Sequence, residues 1–495
     1  NDADDAERCR HALNGKAVRP RPGGQHAADR VGQGGDFLER PGDFLDASGI
    51  QRAAIEEGGG NAVIDRAKFG PLQFGVTALC FIIAMLDGFD TQSIAFVAPK
   101  IAEDWGLAPS AFGPIFAIGL LGLTVGAFTL SPAADRFGRK TVILISTFIF
   151  GLFALLTAFS TSMNELLIYR FITGVGLGAA MPNIIALTSE YGPARLRATL
   201  VTVMFCGFPL GSTIGSLIST WLIATWDWHS VFVVGGVLPL LLLPVLWFML
   251  PESVRFLVAK GAPEHRIAPI VQKIDAEASV SEFIAGLKHE QSSAAKGFSV
   301  FQLFREGRTP VTLLLWVAFF MNLLVMYFLV NWLPTLLKGA GLPLSMAILS
   351  TATLNLGGVV GAIVLGRMID RISPYVVLGS AYAASAAFIA LLAFGGTNLA
   401  VLLAGAALSG FGVVGAQIGC NALTAAVYPT AIRATGVGWA LGVGRIGAIV
   451  GPLVGGVLLA AGWTPQNLIL LAVIPAVIAS IAVFTLGGVR RRAGV

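Results

Sequence analysis

Leu86-Asp87-Gly88-Phe89-Asp90 stands inside an apolar run that extends from Leu72 to Pro99. A run of that length crosses a bilayer, which takes about 20 helical residues. Asp87 and Asp90 are three positions apart, so on a helix both carboxyls share one face. An aspartate near the middle of a membrane helix costs about 2.5 to 3.5 kcal/mol on insertion scales. A second one on the same face adds its own cost and mutual repulsion. Intramembrane acids face bundle interiors or water-filled paths, where they carry protons or meet substrate. The alternative is a structural ion pair with a basic residue of another helix, and a pair that opens and re-forms serves both purposes.

Working outward, the chain's 495 residues are 55% hydrophobic and only 12% charged, with a mean hydropathy of +0.77. A soluble globular protein of this size is excluded. Twelve apolar segments can be marked: 72–98, 112–134, 141–160, 165–187, 200–223, 230–250, 310–336, 345–366, 375–395, 398–424, 435–460 and 467–488. The reading is an all-α integral membrane protein with 12 transmembrane helices. An even number leaves both termini on one side.

The formal net charge of +5 does not point to a nucleic acid, because its distribution follows the membrane. With the N-terminus inside, the basic residues of the loops and tail, among them Arg195 and Arg490, face the cytoplasm, and the outside loops hold only Lys100 and Lys338. Such asymmetry places both termini in the cytoplasm. Cys9, Cys80, Cys206 and Cys420 have no CxxC spacing and read as small core residues rather than metal ligands. His11, His26, His229, His265 and His289 all fall outside the apolar segments, so the carboxylates are left to carry any proton.

Residues 1–66 read as a polar, disordered tail or an extension of the reading frame, the first methionine being Met85. The hydrophilic stretch 251–309 reads as a cytoplasmic loop separating two six-helix bundles, 67–250 and 310–488, with 489–495 a cytoplasmic tail. The bundles repeat each other. Asp135-Arg136-Phe137-Gly138-Arg139-Lys140 follows helix 2, and Gly366-Arg367-Met368-Ile369-Asp370-Arg371 follows helix 8, with 235 positions between Asp135 and Asp370. Arg197-Ala198-Thr199 and Arg433-Ala434-Thr435 lie 236 apart after helices 4 and 10. Two motif pairs at nearly one offset mark a six-helix unit duplicated in parallel, which is transporter architecture.

The 6+6 layout and the Asp135–Lys140 loop resemble the major facilitator superfamily across residues 67–490. Ser131 stands where the superfamily loop usually opens with glycine. Asp87-Gly88-Phe89-Asp90-Thr91, Pro251-Glu252-Ser253-Val254-Arg255-Phe256 and Gly442-Val443-Gly444-Arg445-Ile446-Gly447 are similar to the aromatic acid:proton symporters within it. That resemblance implies import of a benzoate-type, hydroxybenzoate-type or hydroxyphenylpropionate-type carboxylate with protons across a bacterial cytoplasmic (inner) membrane. It also implies an inner gate built from Asp135, Arg136, Arg139, Glu190, Asp370 and Arg433, with Asp135 near the start of helix 11 and Arg139 near Glu190.

Arg170 lies about 8 Å inside the outer end of helix 4, and Asp90 about 12 Å inside that of helix 1, at 1.5 Å per residue. Arg170 therefore reaches Asp90 or Asp87, as a static buried pair or as a switch. In the switch, departure of the guanidinium lets a carboxyl take a proton and its return expels it, the two acids titrating together. Asp87, Asp90 and Arg170 are the proton-coupling candidates. Arg445 sits mid-depth in helix 11 with no acid in its own helix, and a guanidinium binds a carboxylate bidentately. Tyr327, Asn331, Gln417 and Asn421, with Asn322 and Asn355, are candidates for ring hydroxyls or the carboxylate, or are interhelical hydrogen bonds. Phe89, Phe205, Phe319, Phe320, Tyr327 and Trp439 are candidates to face a ring.

The glycine pairs Gly122/Gly126, Gly211/Gly215, Gly357/Gly361 and Gly447/Gly451 read as close helix contacts for a rocking bundle. Gly410-Phe411-Gly412-Val413-Val414-Gly415 fits a dinucleotide pattern but has no preceding strand and lies inside an apolar helix. No HExxH, GxSxG or His/Cys cluster points to an enzyme, and no cofactor or metal is expected. The expectation is a secondary active transporter of a small aromatic carboxylate, working as a monomer in the lipid bilayer. Transport of another organic acid or small metabolite, in either direction, is the alternative.

Overall fold

The computed structural model describes residues 61–293, 300–396, 398–429 and 432–492. The expected tail therefore lies outside the described residues as far as residue 60, as do Cys9, His11 and His26. Over Asn61–Arg66 the tail expectation gives way to a short helix. Asp65 there accepts from the Ala194 N–H at 2.7 Å and pairs with Arg197 at 3.5 Å.

The helix carrying the two aspartates starts and stops on local signals. Pro71 occupies its first turn, where a missing N–H costs nothing, and the Gln73 side chain accepts from the Gly70 N–H at 2.6 Å. At the far end Gly106 takes φ +62°. Its N–H and that of Leu107 turn back onto the carbonyls of Glu103 and Ala102, a Schellman closure. This helix, α1, spans Pro71–Asp104, six residues beyond the expected end, because Pro99 is accommodated inside it.

Eleven more membrane helices follow: α2 (Pro109–Phe137), α3 (Arg139–Thr157), α4 (Met163–Tyr191), α5 (Ala194–Thr225), α6 (His229–Met249), α7 (Thr309–Gly339), α8 (Leu344–Ile369), α9 (Pro374–Phe394), α10 (Leu399–Val427), α11 (Thr435–Ala460) and α12 (Pro465–Arg491). Their outward faces carry exposed Leu241, Phe248, Phe394 and Val457, as lipid-facing surfaces do. His229, expected outside the apolar helices, is the first residue of α6 and stacks on Trp228. The interval expected as a loop contains helices Val254–Ala259, Glu264–Ile274 and Val280–Ser293.

Glycine contacts carry the duplication into three dimensions. A Cβ on Gly211 of α5 would meet the Met85 carbonyl of α1 at 1.8 Å, and one on Gly447 of α11 the Phe320 carbonyl of α7 at 2.2 Å. Met85 and Phe320 are 235 apart, Gly211 and Gly447 236 apart. Gly126 against Val175 and Gly361 against Phe411 repeat the pattern between α2/α4 and α8/α10. The helix pairs α1/α5, α2/α4, α7/α11 and α8/α10 are thus locked at backbone distance.

Between the halves, α5 packs on α8, α2 on α11 and α1 on α7. The end bearing Arg136, Arg139, Arg195, Arg197, Arg367 and Arg371 is the basic end. Toward the opposite end one apolar core is shared by both halves, with Phe116 edge-on to Trp332 at 5.2 Å. Toward the basic end each half keeps its own core, one around Ile143, Ile184 and Val254 and one around Phe319, Leu378 and Tyr428. The halves therefore share one core toward one end and keep two separate cores toward the other.

Candidate functional site

A cavity of about 210 Å³ lies mid-depth between the halves, on the basic-end side of the shared core. Asp87 of α1, Leu120 and Leu123 of α2, Met181 of α4 and Phe205 and Phe208 of α5 line it from the first half. From the second half come Met326, Tyr327, Asn355, Gln417, Asn421 and Arg445. The walls differ in kind. Offsets of 235 and 236 match Asn355 to Leu120, Gln417 to Met181 and Arg445 to Pro209. The first half thus contributes a mostly apolar wall with one acid, and the second half a mixed wall in which Arg445, Tyr327, Asn355, Gln417 and Asn421 stand among Leu323, Val414, Ile418 and Leu441.

Arg445 reaches across the cavity, its Nη1 donating to the Leu123 carbonyl at 3.3 Å. Asp87 and Tyr327 are its electrostatic neighbours. Asp87 is 2% exposed and accepts from the Thr91 hydroxyl at 3.0 Å, one turn along α1. In the second half, Asn322 donates to Gln417 at 2.7 Å, and Gln417 to Asn421 at 3.3 Å. Asn355 exchanges amide hydrogen bonds with Gln92 of α1 at 2.9 and 3.2 Å, joining the halves.

Asp90 points elsewhere. Arg170 Nη1 donates to both of its carboxylate oxygens at 3.2 Å, and Nη2 to its main-chain carbonyl at 3.0 Å. Both side chains are almost wholly enclosed, and the Phe232 ring lies 5.9 Å from the guanidinium. One turn of helix thus separates an acid held by arginine from an acid that faces the cavity. The duplication places Val325 and Ala406 where this pair would recur, so the pair belongs to the first half alone.

Asn331 does not line the large cavity. It donates to the Tyr327 carbonyl at 2.7 Å and borders a smaller space beside Arg170. Of the aromatic candidates, Phe205 and Tyr327 line the cavity and Phe89, Phe319, Phe320 and Trp439 do not. Sequence reasoning passed over Thr91, Gln92 and Phe208. Thr91 carried a signal, since a hydroxyl four residues after an intramembrane acid falls on the same helix face.

At the basic end Arg139 pairs with Glu190 at 2.8 Å, and the Ser253 hydroxyl donates to Glu190 at 2.5 Å. Glu252 accepts from the Lys140 N–H at 3.0 Å, over Gly138 at φ +96°. A side chain on Gly138 would collide with that carboxylate. These contacts bind α3 and α4 to the segment after α6, all within the first half. Asp135 and Asp370 are exposed at the same end, and Arg136 lies over the Phe137 ring. Arg433 is likewise exposed, at the start of the helix that continues as α11.

Residues 80–374 and 345–494 match the Major Facilitator Superfamily profile. A gallate transporter of Pseudomonas putida is 43% identical over 432 residues, 87% of this chain and 95% of its own. A 4-hydroxybenzoate transporter of Acinetobacter baylyi is 40% identical over 437 residues, 88% of this chain and 94% of its own. Among solved structures, the inward-open xylose transporter XylE from E. coli superimposes with a TM-score of 0.68 at 17% identity, over 83% of this chain and 96% of that one.

Proposed function

Since the chain belongs to the major facilitator superfamily, we propose that it is a secondary active transporter importing a small aromatic carboxylate together with protons by alternating access. The observation that carries this reading is Arg445, a cation at mid-depth in a largely apolar cavity, opposite Asp87. The gallate and 4-hydroxybenzoate transporters among its relatives support an aromatic acid as the cargo class.

The carboxylate of the substrate displaces the Leu123 carbonyl from Arg445 and takes a charge-assisted, bidentate pair. Its ring lies against Leu120, Leu123, Phe208 and Met326, and ring hydroxyls meet Tyr327, Gln417 or Asn421. A cavity of about 150 Å³ binds benzene, so the space is adequate for one substituted ring. Asn331 acts from behind this wall. Asp87 takes the coupled proton, because a neutral Asp87 removes repulsion from an incoming carboxylate. Asp90 and Arg170 form the buried pair that responds to it.

Charge asymmetry supports the basic end as cytoplasmic, both termini inside, in a bacterial inner membrane. On that orientation the periplasmic side is closed by the shared core and the conformer faces inward. Asp135, Arg136, Arg139, Glu190, Asp370 and Arg433 then form the cytoplasmic gate, and one copy of the chain suffices for transport. Uptake of labelled 4-hydroxybenzoate into proteoliposomes, competed by unlabelled benzoate, gallate, hydroxyphenylpropionate and a dicarboxylate, tests the cargo class. Competition by aromatic monocarboxylates is expected. No uptake and no competition would leave the superfamily in place and overturn the aromatic-acid reading.

A further inference from the structure

Arg170 commits both terminal nitrogens to Asp90, and its Nε has no hydrogen-bond partner among the described residues although the side chain is only 4% exposed. The same side chain lines a cavity of about 20 Å³ together with Thr91, Gly119, Leu123, Gly174 and Asn331. A space of about 10 to 15 Å³ holds one water, provided that it offers two to four polar partners. Here Arg170, Thr91 and Asn331 supply the polar side chains of the lining. Thr91 also donates to Asp87, the acid of the large cavity. Thr91 therefore bonds the cavity acid and also lines the space beside the arginine.

We propose that this small cavity binds a single water molecule between Arg170 Nε and the Thr91 hydroxyl, and that Thr91 is the positioning residue through which protonation of Asp87 reaches the Arg170–Asp90 pair. The inference rests on the proton-coupled reading above. With Asp87 ionised, every donor points one way: Arg170 Nε–H to water, water to Thr91, Thr91 to Asp87. With a proton on Asp87, its O–H donates to the Thr91 oxygen, and the Thr91 hydroxyl turns to the water. The water oxygen then accepts from both the Thr91 hydroxyl and Arg170 Nε–H, and no longer donates onward toward the acid. The cooperative chain is broken, and the hydrogen bond that supports the guanidinium on the side away from Asp90 weakens. Only hydroxyl and water hydrogens rotate, and no covalent bond changes beyond protonation of Asp87.

The test uses the purified full chain without substrate, by pH-difference infrared spectroscopy, in wild type, Thr91→Val, Thr91→Ser and Asp87→Asn. Asp87→Asn identifies the Asp87 carboxyl band. Protonation of Asp87 is expected to perturb the Arg170 guanidinium bands in wild type and Thr91→Ser, and not in the near-isosteric Thr91→Val. In proteoliposomes Thr91→Val is expected to keep counterflow within about twofold and lose gradient-driven accumulation at least tenfold, with Thr91→Ser restoring it. Guanidinium bands that respond equally in Thr91→Val, or do not respond in wild type, overturn the inference and leave proton coupling standing. Loss of counterflow together with accumulation in Thr91→Val overturns it in favour of a packing role. An Asp87 band that never titrates removes the proton-coupled reading, and the inference with it.

Discussion

Arg445 in the second half donates to the main-chain carbonyl of Leu123 in the first half at 3.3 Å, across the cavity that Asp87 also faces. A neutral carbonyl is a weaker partner for a guanidinium than a carboxylate. On the proposed function, the contact holds the cation in place until an organic anion displaces it. Replacing Arg445 by Lys keeps the charge and removes the planar fork. Apparent affinity for 4-hydroxybenzoate is expected to fall about 10- to 100-fold, the loss of one charge-assisted hydrogen bond. Titration calorimetry on purified protein measures it, and an unchanged affinity would move the carboxylate site elsewhere.

Asp87 and Asp90 are expected to respond differently to the same substitution. Asp87→Asn keeps a side chain that accepts from Thr91, so folding and counterflow survive while gradient-driven accumulation is lost. Asp90→Asn strands the Arg170 charge in an enclosed site, which costs about 3 to 5 kcal/mol. Thermal stability in detergent should drop for Asp90→Asn and recover substantially in Asp90→Asn with Arg170→Gln. Equal stability of the single and double variants would contradict the paired assignment.

The glycine contacts make a symmetric prediction. Gly211→Ala and Gly447→Ala place a methyl group against the Met85 and Phe320 carbonyls at matching positions of the two halves. Each is expected to destabilise by about 1 to 3 kcal/mol, the usual cost of overpacking. Thermal unfolding followed by a thiol-reactive dye, reading exposure of buried Cys80 and Cys420, would check both. A tolerated alanine in either half would show that the helices there can separate at little cost.

Gln92 and Asn355 exchange hydrogen bonds between α1 and α8, and both are buried. Gln92→Leu takes the donor away from Asn355 Oδ1, while Asn355 Nδ2 keeps the Thr351 carbonyl, at about 1 to 3 kcal/mol and only in the conformer where α1 and α8 meet here. That corresponds to a shift of about 5- to 150-fold toward the alternative conformer. Spin labels at the exposed Asn164 and Ala400, near the non-basic ends of α4 and α10, would report a longer distance population. An unaltered distance distribution would mean that the amide pair does not hold this end closed.

Much of this was legible in the chain because membrane helices are constrained by length and polarity alone. Twelve apolar runs, the 235-residue repeat and the Arg170–Asp90 reach all follow from local counting. The end of α1 did not, because Pro99 and Lys100 look like a boundary, yet the helix continues to Asp104. The short helices after Pro251 escaped because their apolar positions span only one to four turns each. Gln92 and Asn355 are 263 residues apart, and no local pattern announces that they meet. Asn331 looked like a cavity residue from its depth, but its direction around α7 turns it to the neighbouring space. Depth is written in the sequence of a membrane helix; rotation about its axis depends on which neighbours it packs against.

Proton movement during substrate entry separates symport from facilitated entry. Proteoliposomes in weakly buffered medium, with the membrane potential clamped at zero by potassium and valinomycin, would receive 4-hydroxybenzoate while a dye follows external pH. Alkalinisation outside is expected to scale with substrate taken up and to disappear in Asp87→Asn. One proton per monoanion would make entry electroneutral, and two would add about 2.3 kcal/mol per 100 mV of driving force once the clamp is released. Substrate entry with no proton movement in the wild type would contradict symport, leaving a facilitator whose buried acids serve structure alone.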